Sequence, residues 1–487
     1  MCMEENKQVS TPTEAELERE RALADPDHPI HHERVTKAIP EGYTSRQLYN
    51  DVIQIAWPSC VELLLTQLAS MVDLMMVGQL GAWALTSVGL STQPKFLVMT
   101  MFMALNVGAT AMVARFKGAG EQENANIILR QALVLSLILS TIAAVLGYIF
   151  APQLIQFMGS TEEATLIGGT QYLRIQMIGI PAVALTSVVT ATMRGIGNSR
   201  IAMIYNIIAN VVNVIFNYLL IGGNMGFPRL EVVGASLATI LGQFVAFCIA
   251  MGVILRPKSY LRIKRGDSFK FNLPMIKRIV NVGIPAMIEQ LLMRAGMIIF
   301  SKTVAGLGTV AFATHQVCMN IQALSFMNGQ AFATSATSLM GQSLGKKRPD
   351  LAQAYCHRAR RLGMMVSLFL GVVFFFFGGP IVALYNDDPM IVAEGAKMLM
   401  IVAITQPLQS SQFILAGALR GAGDTRATAY ITFLTVLVVR PLLAIFLINS
   451  MNMGLLGAWV AIAVDQLIRS TLVLFRFNSG KWKKIIV

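Results

Sequence analysis

LGMMVSLFLGVVFFFFGGPIVALYN, residues 362–386, runs for 25 residues without an Asp, Glu, Lys or Arg. A helix needs about 20 apolar residues to cross the hydrocarbon core of a bilayer. Helices in soluble cores rarely stay apolar on every face for that distance. The stretch is therefore a membrane span, and it is not alone: residues 131–161, 201–228, 232–255 and 441–464 are equally free of charge. The whole chain of 487 residues is 55% hydrophobic and 13% charged, with a mean hydropathy of +0.60. About a quarter of an average soluble chain is charged.

Working outward from these runs, twelve spans are expected near 51–75, 85–113, 130–150, 170–192, 201–222, 233–254, 275–301, 312–340, 362–384, 394–418, 428–449 and 455–476. Continuous apolar runs select helices, because strands of a membrane barrel would alternate over about ten residues. The net charge of +13 would suit nucleic acid, but its placement does not. Of the 39 Lys and Arg residues, 32 fall on the two termini and on every second connection. This is the asymmetry of cytoplasmic loops. It predicts a multi-pass protein of the plasma or inner membrane with both termini cytoplasmic, and excludes nucleic acid as a partner. Contact of the basic side chains with anionic lipid headgroups is a secondary expectation.

Residues 1–50 read as a mobile cytoplasmic tail without a signal peptide. Its His28, His31 and His32 are expected to be solvated rather than to hold a metal. Five cysteines without paired spacing imply neither disulfides nor zinc. No cofactor is expected.

The spans repeat. WPSCVELLL (57–65) parallels IPAMIEQLL (284–292), with Pro58 and Pro285, and Glu62 and Glu289, 227 apart. Gly118 and Gly345 keep that offset. TMRGIGNSR (192–200) parallels ALRGAGDTR (418–426) at 226, and Gln243 matches Gln466 at 223. Each copy holds six spans, an even number, so the copies are parallel repeats related by an axis along the membrane normal. The expected fold is all-α and integral to the membrane, with two six-helix lobes enclosing a cleft. The N-terminal lobe occupies 51–255, a cytoplasmic linker 256–274, the C-terminal lobe 275–478 and a cytoplasmic tail 479–487.

In order along the chain, MVDLMMVGQLG (71–81), TMRGIGNSR (192–200), NVIFNYLLIGG (213–223), ATHQVCMNIQALSFM (313–327) and AGALRGAGDTR (416–426) resemble the multidrug and toxic compound extrusion (MATE) family. The resemblance spans residues 51–476. It implies a V-shaped pair of lobes that expels cationic or amphipathic compounds in exchange for Na⁺ or H⁺, and the protein is expected to act as a monomer.

A carboxylate within a membrane helix is costly and normally has a partner or a task. Asp73, near the outer end of the first span, is the first candidate; the alternative is a hydrated interfacial residue. In the family pattern an Asp there belongs to the N-lobe cation site. Asn206, Asn210, Asn213 and Asn217 are spaced four, three and four apart and share one helical face. They can be interhelical glue or site residues. The resemblance places Asn213 and Asn217 opposite Asp73, and some relatives carry a second Asp where Asn217 stands. Glu62 and Glu289 each follow a proline by four residues and can be functional or structural. Gln290, His315, Gln316, Asn320 and Gln409 are expected to line a polar cavity in the C lobe. There the chain departs from relatives that carry acids at the positions of Leu292 and Gln409. Pro58 is the expected hinge.

The RGxGxxR strings lack the Lys-Ser/Thr of a nucleotide loop and read as tight cytoplasmic turns with arginines at the headgroups. No ATP-binding motif is present, so an ion gradient is the expected energy source. A lipid-linked precursor flippase is the alternative within transport, kept open by Arg174, Arg294 and Arg440. A membrane enzyme or receptor lacks supporting motifs.

Overall fold

The computed structural model describes residues 39–159, 162–385 and 387–485. His28, His31 and His32 of the N-terminal tail lie outside the described residues. Among those described, twelve long helices follow one another. They are α1 (Ser45–Gly78), α2 (Ala82–Ala119), α3 (Gln122–Ile149), α4 (Glu163–Gly195), α5 (Ser199–Gly222) and α6 (Glu231–Leu255). The second set is α7 (Leu273–Ala305), α8 (Thr309–Gly345), α9 (Pro349–Ala383), α10 (Pro389–Ala422), α11 (Thr425–Ser450) and α12 (Gly454–Asn478). All twelve expected spans are present.

The helices overrun the spans at the ends that carry the Lys- and Arg-rich connections, here called the basic face. Helix α9 starts 13 residues before its expected span and α1 starts six before. A helix need not stop where the hydrocarbon does. Thr44 and Gln47 form a reciprocal capping box that starts α1, and Leu48 of the supposed tail is fully buried. Eleven helices are long and apolar enough to cross a membrane. The twelfth, α8, has 37 residues and no charged side chain, but it is rich in amides and hydroxyls. It packs against α1, α2, α9 and α10, which partner that polarity.

Within the first six helices, α1 packs on α5, α5 on α6, α6 on α4, and α4 on α2 and α3. The second six repeat every one of these pairings: α7 on α11, α11 on α12, α12 on α10, and α10 on α8 and α9. Between lobes, α2 meets α7 as α8 meets α1, and α2 meets α8 across the axis. The contacts obey the twofold residue by residue. A Cβ on Gly118 would lie 1.9 Å from the carbonyl oxygen of Gln342, and one on Gly345 would lie 2.0 Å from that of Arg115. Gln342 is itself the repeat of Arg115. Likewise Gly108 lies under the carbonyl of Ile279, while its repeat Ser335 donates a hydrogen bond of 3.0 Å to the carbonyl of Val52, the repeat of Ile279.

These approaches all lie in the halves of α1, α2, α7 and α8 nearer the basic face. So do the interlobe hydrogen bonds of Ser338 and Gln342 to the Gly195 carbonyl. The lobes lean together at that face. The linker is tied to α3: Asn126 accepts from Arg262 N at 2.9 Å, Gln131 donates to the Lys270 carbonyl at 2.8 Å, and Arg130 pairs with Asp267 at 2.7 Å. Of the C-terminal tail, residues 479–485 are described, and they pack on the helices. Trp482 is buried and stacked on Phe477, and Arg115 of the first lobe donates to the Ile485 carbonyl at 3.0 Å.

Backbone contact at the axis leaves no room for a side chain. Gly118→Val is expected to lower stability by about 1–3 kcal/mol or more, visible as an earlier thermal melt in detergent. Gly89→Ala, with nothing within 4 Å of the new carbon, is the control. Equal melts for the two proteins would contradict the close approach.

Candidate functional site

Helices α1 and α5 run parallel, and their polar residues meet at a constant sequence offset. Asn206 donates to Glu62 at 2.6 Å, Asn210 to Thr66 at 3.2 Å and Asn217 to Asp73 at 2.7 Å, every pair 144 apart. The asparagine stripe is thus one side of a ladder. The two ends of the ladder differ in their surroundings.

At the end far from the basic face, Asp73 is half-buried and Asn217 fully buried. Asn217 Nδ2 also lies 3.5 Å from Asn213 Oδ1, and its own Oδ1 is buried with no hydrogen-bond partner among the described residues. Asn213 turns toward α6, donating to Thr239 Oγ1 at 3.2 Å. It reaches Asp73 only through Asn217. Tyr172 shares a hydrogen bond with Thr239 and lies within electrostatic reach of Asp73. Carboxylate, amide and hydroxyl oxygens therefore converge on one niche in the wall of the first lobe. Such donors suit a hard cation, and a lone carboxylate suits a proton. Among the described residues no cluster of three His, Cys, Asp or Glu side chains could hold a metal ion.

Lys95, Tyr172, Gln176, Ser236 and Thr239 of this niche escape a reading of the sequence. Lys95 of α2 feels the charge of Asp73 and donates to Gln176 Oε1 of α4 at 2.7 Å. Gln176 in turn donates to Ser236 Oγ at 3.1 Å. A lysine inside an apolar span was the available signal. Thr239 gave none.

At the other end of the ladder, Glu62 is buried and paired with Arg194 at 2.7 Å. Both face a cavity of about 380 Å³ at the apex of the interlobe cleft. Asn106, Thr110, Ser187 and Gln243 line it from the first lobe, and Gln330, Thr334, Thr337 and Arg420 from the second. The first arginine of each RGxGxxR string thus enters this cavity rather than the headgroup region. Only part of the turn reading holds. Gly197 and Gly423 take positive φ of 85° and 88°, as a left-handed turn requires. Gly195 and Gly421 lie in helices, where their repeat-related contacts with the Thr110 and Thr337 carbonyls exclude a side chain.

The C lobe corrects a second expectation. Its five polar candidates do not form one cavity. His315 is buried among Phe300, Phe312 and Trp459. Gln409 is buried on α10, and Gln290 is half-buried. Gln316 and Asn320 are exposed, 14 residues before Gln330 and Thr334 and so on the same face of α8 as those cavity residues. Glu289 accepts a hydrogen bond from Thr428 at 2.9 Å. Pro58 lies inside α1, one turn before Glu62.

The C lobe holds a buried ion cluster instead. Asp465 of α12 is bonded by Arg440 of α11 and, at 2.9 Å, by Arg469. Asp465 is fully buried and both arginines are nearly so. Arg440 precedes Pro441 and sits between two π-helical segments of α11, Phe433–Val439 and Phe446–Ser450. In the repeat it corresponds to the Asn213–Asn217 turn, and Asp465 to Gly242, which packs on Asn213. Where the first lobe gathers oxygens, the second holds guanidinium groups. Of the other arginines set aside for a flippase, Arg174 packs on Tyr148 at 5.2 Å, and only Arg294 reaches across the lobes, 3.6 Å from the Phe96 ring.

Known proteins share this plan. The MatE family model matches twice, over residues 58–219 and 285–446, once in each lobe. A probable multidrug resistance protein NorM of Thermotoga maritima is 28% identical over 90% of this chain and 94% of its own length. A multidrug resistance protein MdtK of Pectobacterium atrosepticum is 25% identical over 84% and 90%. Among solved structures, a MOP superfamily transporter from Pyrococcus furiosus superposes with a TM-score of 0.83 at 21% identity, covering 92% of this chain and all of its own. A MATE protein in a bent conformation gives 0.82 at 22%. With a family match in each of two symmetry-related lobes, this chain belongs to the MatE family and is a multi-pass membrane transporter.

Proposed function

We propose that the protein exports cationic or amphipathic small molecules through the interlobe cleft in exchange for Na⁺ or H⁺, with Asp73 as the coupling group. The observation that carries this reading is the niche around Asp73: a half-buried carboxylate whose amide partner Asn217 keeps a buried, unshared oxygen. A cation or proton arriving there changes the charge that α1 presents to α5. Because Asp73 and Glu62 stand on the same helix, a change at one end of the ladder is felt at the apex cavity at the other. The names of the NorM and MdtK relatives agree with drug export.

With the basic face taken as cytoplasmic, the close interlobe contacts lie toward the cytoplasm, and the cleft would open outward. Alternating access would then be rocking about the contacts at the axis, with the bend of α1 at Pro58 varying with the load at Asp73. The C lobe would bind no exchangeable ion, since Arg440 and Arg469 already neutralise Asp465 from within the chain. A flippase reading keeps only Arg294 of its three arginines, so drug export is favoured.

Three outcomes are expected. Efflux of a fluorescent cation from proteoliposomes should follow either a Na⁺ or a H⁺ gradient when each is imposed separately, and accumulation independent of both would end the antiport reading. Asp73→Asn, which keeps the partner geometry, should abolish gradient-driven efflux with little change in the thermal melt; unchanged efflux would remove Asp73 from the mechanism. Asp465→Asn should behave in the opposite way. It leaves two buried guanidinium groups without their counter-ion, a loss of about 3–5 kcal/mol, and its melt should fall far below that of Asp73→Asn.

A further inference from the structure

On the basic face of the second lobe, a groove of about 640 Å³ lies between the start of α1 and the first turns of α9. Arg358, Arg360 and Arg361 line it together with Tyr49, and Met365 and Leu368 continue its wall one to two turns farther along α9. Its level in the bilayer follows from the sequence. Arg361 is the last charged residue before the uncharged run of 362–386, so the guanidinium groups stand at the edge of the hydrocarbon. Met365 and Leu368, 61% and 58% exposed, stand just inside it.

Among the described residues no carboxylate lines the groove, and no salt bridge engages these three arginines. Arg361 donates to the Tyr49 hydroxyl at 3.0 Å, Arg358 to the Ala354 carbonyl at 3.1 Å and Arg360 to Ser411 Oγ at 2.7 Å. Arg358 Nε is buried with no partner among the described residues. A guanidinium offers five N–H donors, so most remain available, in the forked geometry that matches phosphate oxygens. The carboxylate on the adjoining turn of α1, Asp51, is bonded to Tyr355 at 2.6 Å.

We propose that this groove is a binding site for an anionic phospholipid. Its phosphate is held by Arg358, Arg360 and Arg361, and its acyl chains lie along Met365 and Leu368. Basic pockets between helices at the cytoplasmic boundary take such headgroups. The exposed apolar wall, level with the hydrocarbon, selects a lipid over a soluble phosphate. A lipid there clamps α9 against the start of α1, which belongs to the other lobe, so occupancy stabilises the interlobe contact.

The test uses the purified full-length protein in detergent, melted with added phosphatidylglycerol, phosphatidylcholine or glycerol 3-phosphate. Phosphatidylglycerol should raise the melting temperature and the other two should not. In R358Q/R361Q the apparent affinity for phosphatidylglycerol should fall at least about 10-fold, as the loss of charged hydrogen bonds implies. Native mass spectrometry should show one fewer retained lipid. If the double variant does not survive purification, R361Q alone, at an exposed position, gives the same readout. An equal shift from phosphatidylcholine, an equal shift from glycerol 3-phosphate, or an undiminished phosphatidylglycerol shift in the variants would each overturn the proposal.

Discussion

A polar group inside a bilayer must find its partner within the protein, because lipid offers none. The ladder between α1 and α5 answers that demand pair by pair, Glu62 with Asn206, Thr66 with Asn210 and Asp73 with Asn217, and leaves Asn217 Oδ1 unshared among the described residues. An apolar helix pair could slide or rotate against its neighbour at little cost. This pair cannot shift by one residue without parting Glu62, Thr66 and Asp73 from their amide partners. The register of α1 is thereby fixed, and α1 carries both the niche at Asp73 and one wall of the apex cavity. The placement of the candidate site in the first lobe follows from this constraint.

The duplication supplied two copies of the scaffold but did not preserve two copies of the chemistry. Glycine contacts at the axis, the RGxGxxR turns and the helix pairings persist in both halves. The polar rungs do not. Glu62 faces Arg194 and the cavity, whereas its repeat Glu289 is bonded to Thr428. The asparagine turn on α5 is answered on α11 by Arg440, held by Asp465. Packing tolerates little change because the backbones touch, while a side chain can be exchanged wherever a new partner arises nearby.

That division also decides what the sequence discloses. Spans, orientation of charge and the repeat are periodic or compositional, so the all-α duplicated architecture can be read from the chain. The α5 stripe is visible for the same reason, since four amides at helical spacing share a face. Pairings between helices are not periodic along the chain. Arg469 looks like one more basic residue near a cytoplasmic end but lies buried 2.9 Å from Asp465. Gln316 and Asn320 share a polar string with His315, yet the helix turns His315 into an aromatic cage and leaves the other two outside. Helix lengths are misjudged where α9 runs past the lipid, because hydropathy measures the bilayer and not the helix.

The contrast between the two lobes bears on how a single site could drive the whole transporter. An exchangeable ligand can shift an equilibrium only by its differential affinity for the two states. The Asp465 cluster carries its counter-charges within the chain, and through Arg440 it ties α11 to α12. In the proposed mechanism the compensation of Asp73, with Lys95 bonded to Gln176 nearby, would change with what enters. A lobe whose charge balance varies, set against one whose balance is fixed, would give motion at their shared axis a direction. Symmetry in the chemistry would have removed it.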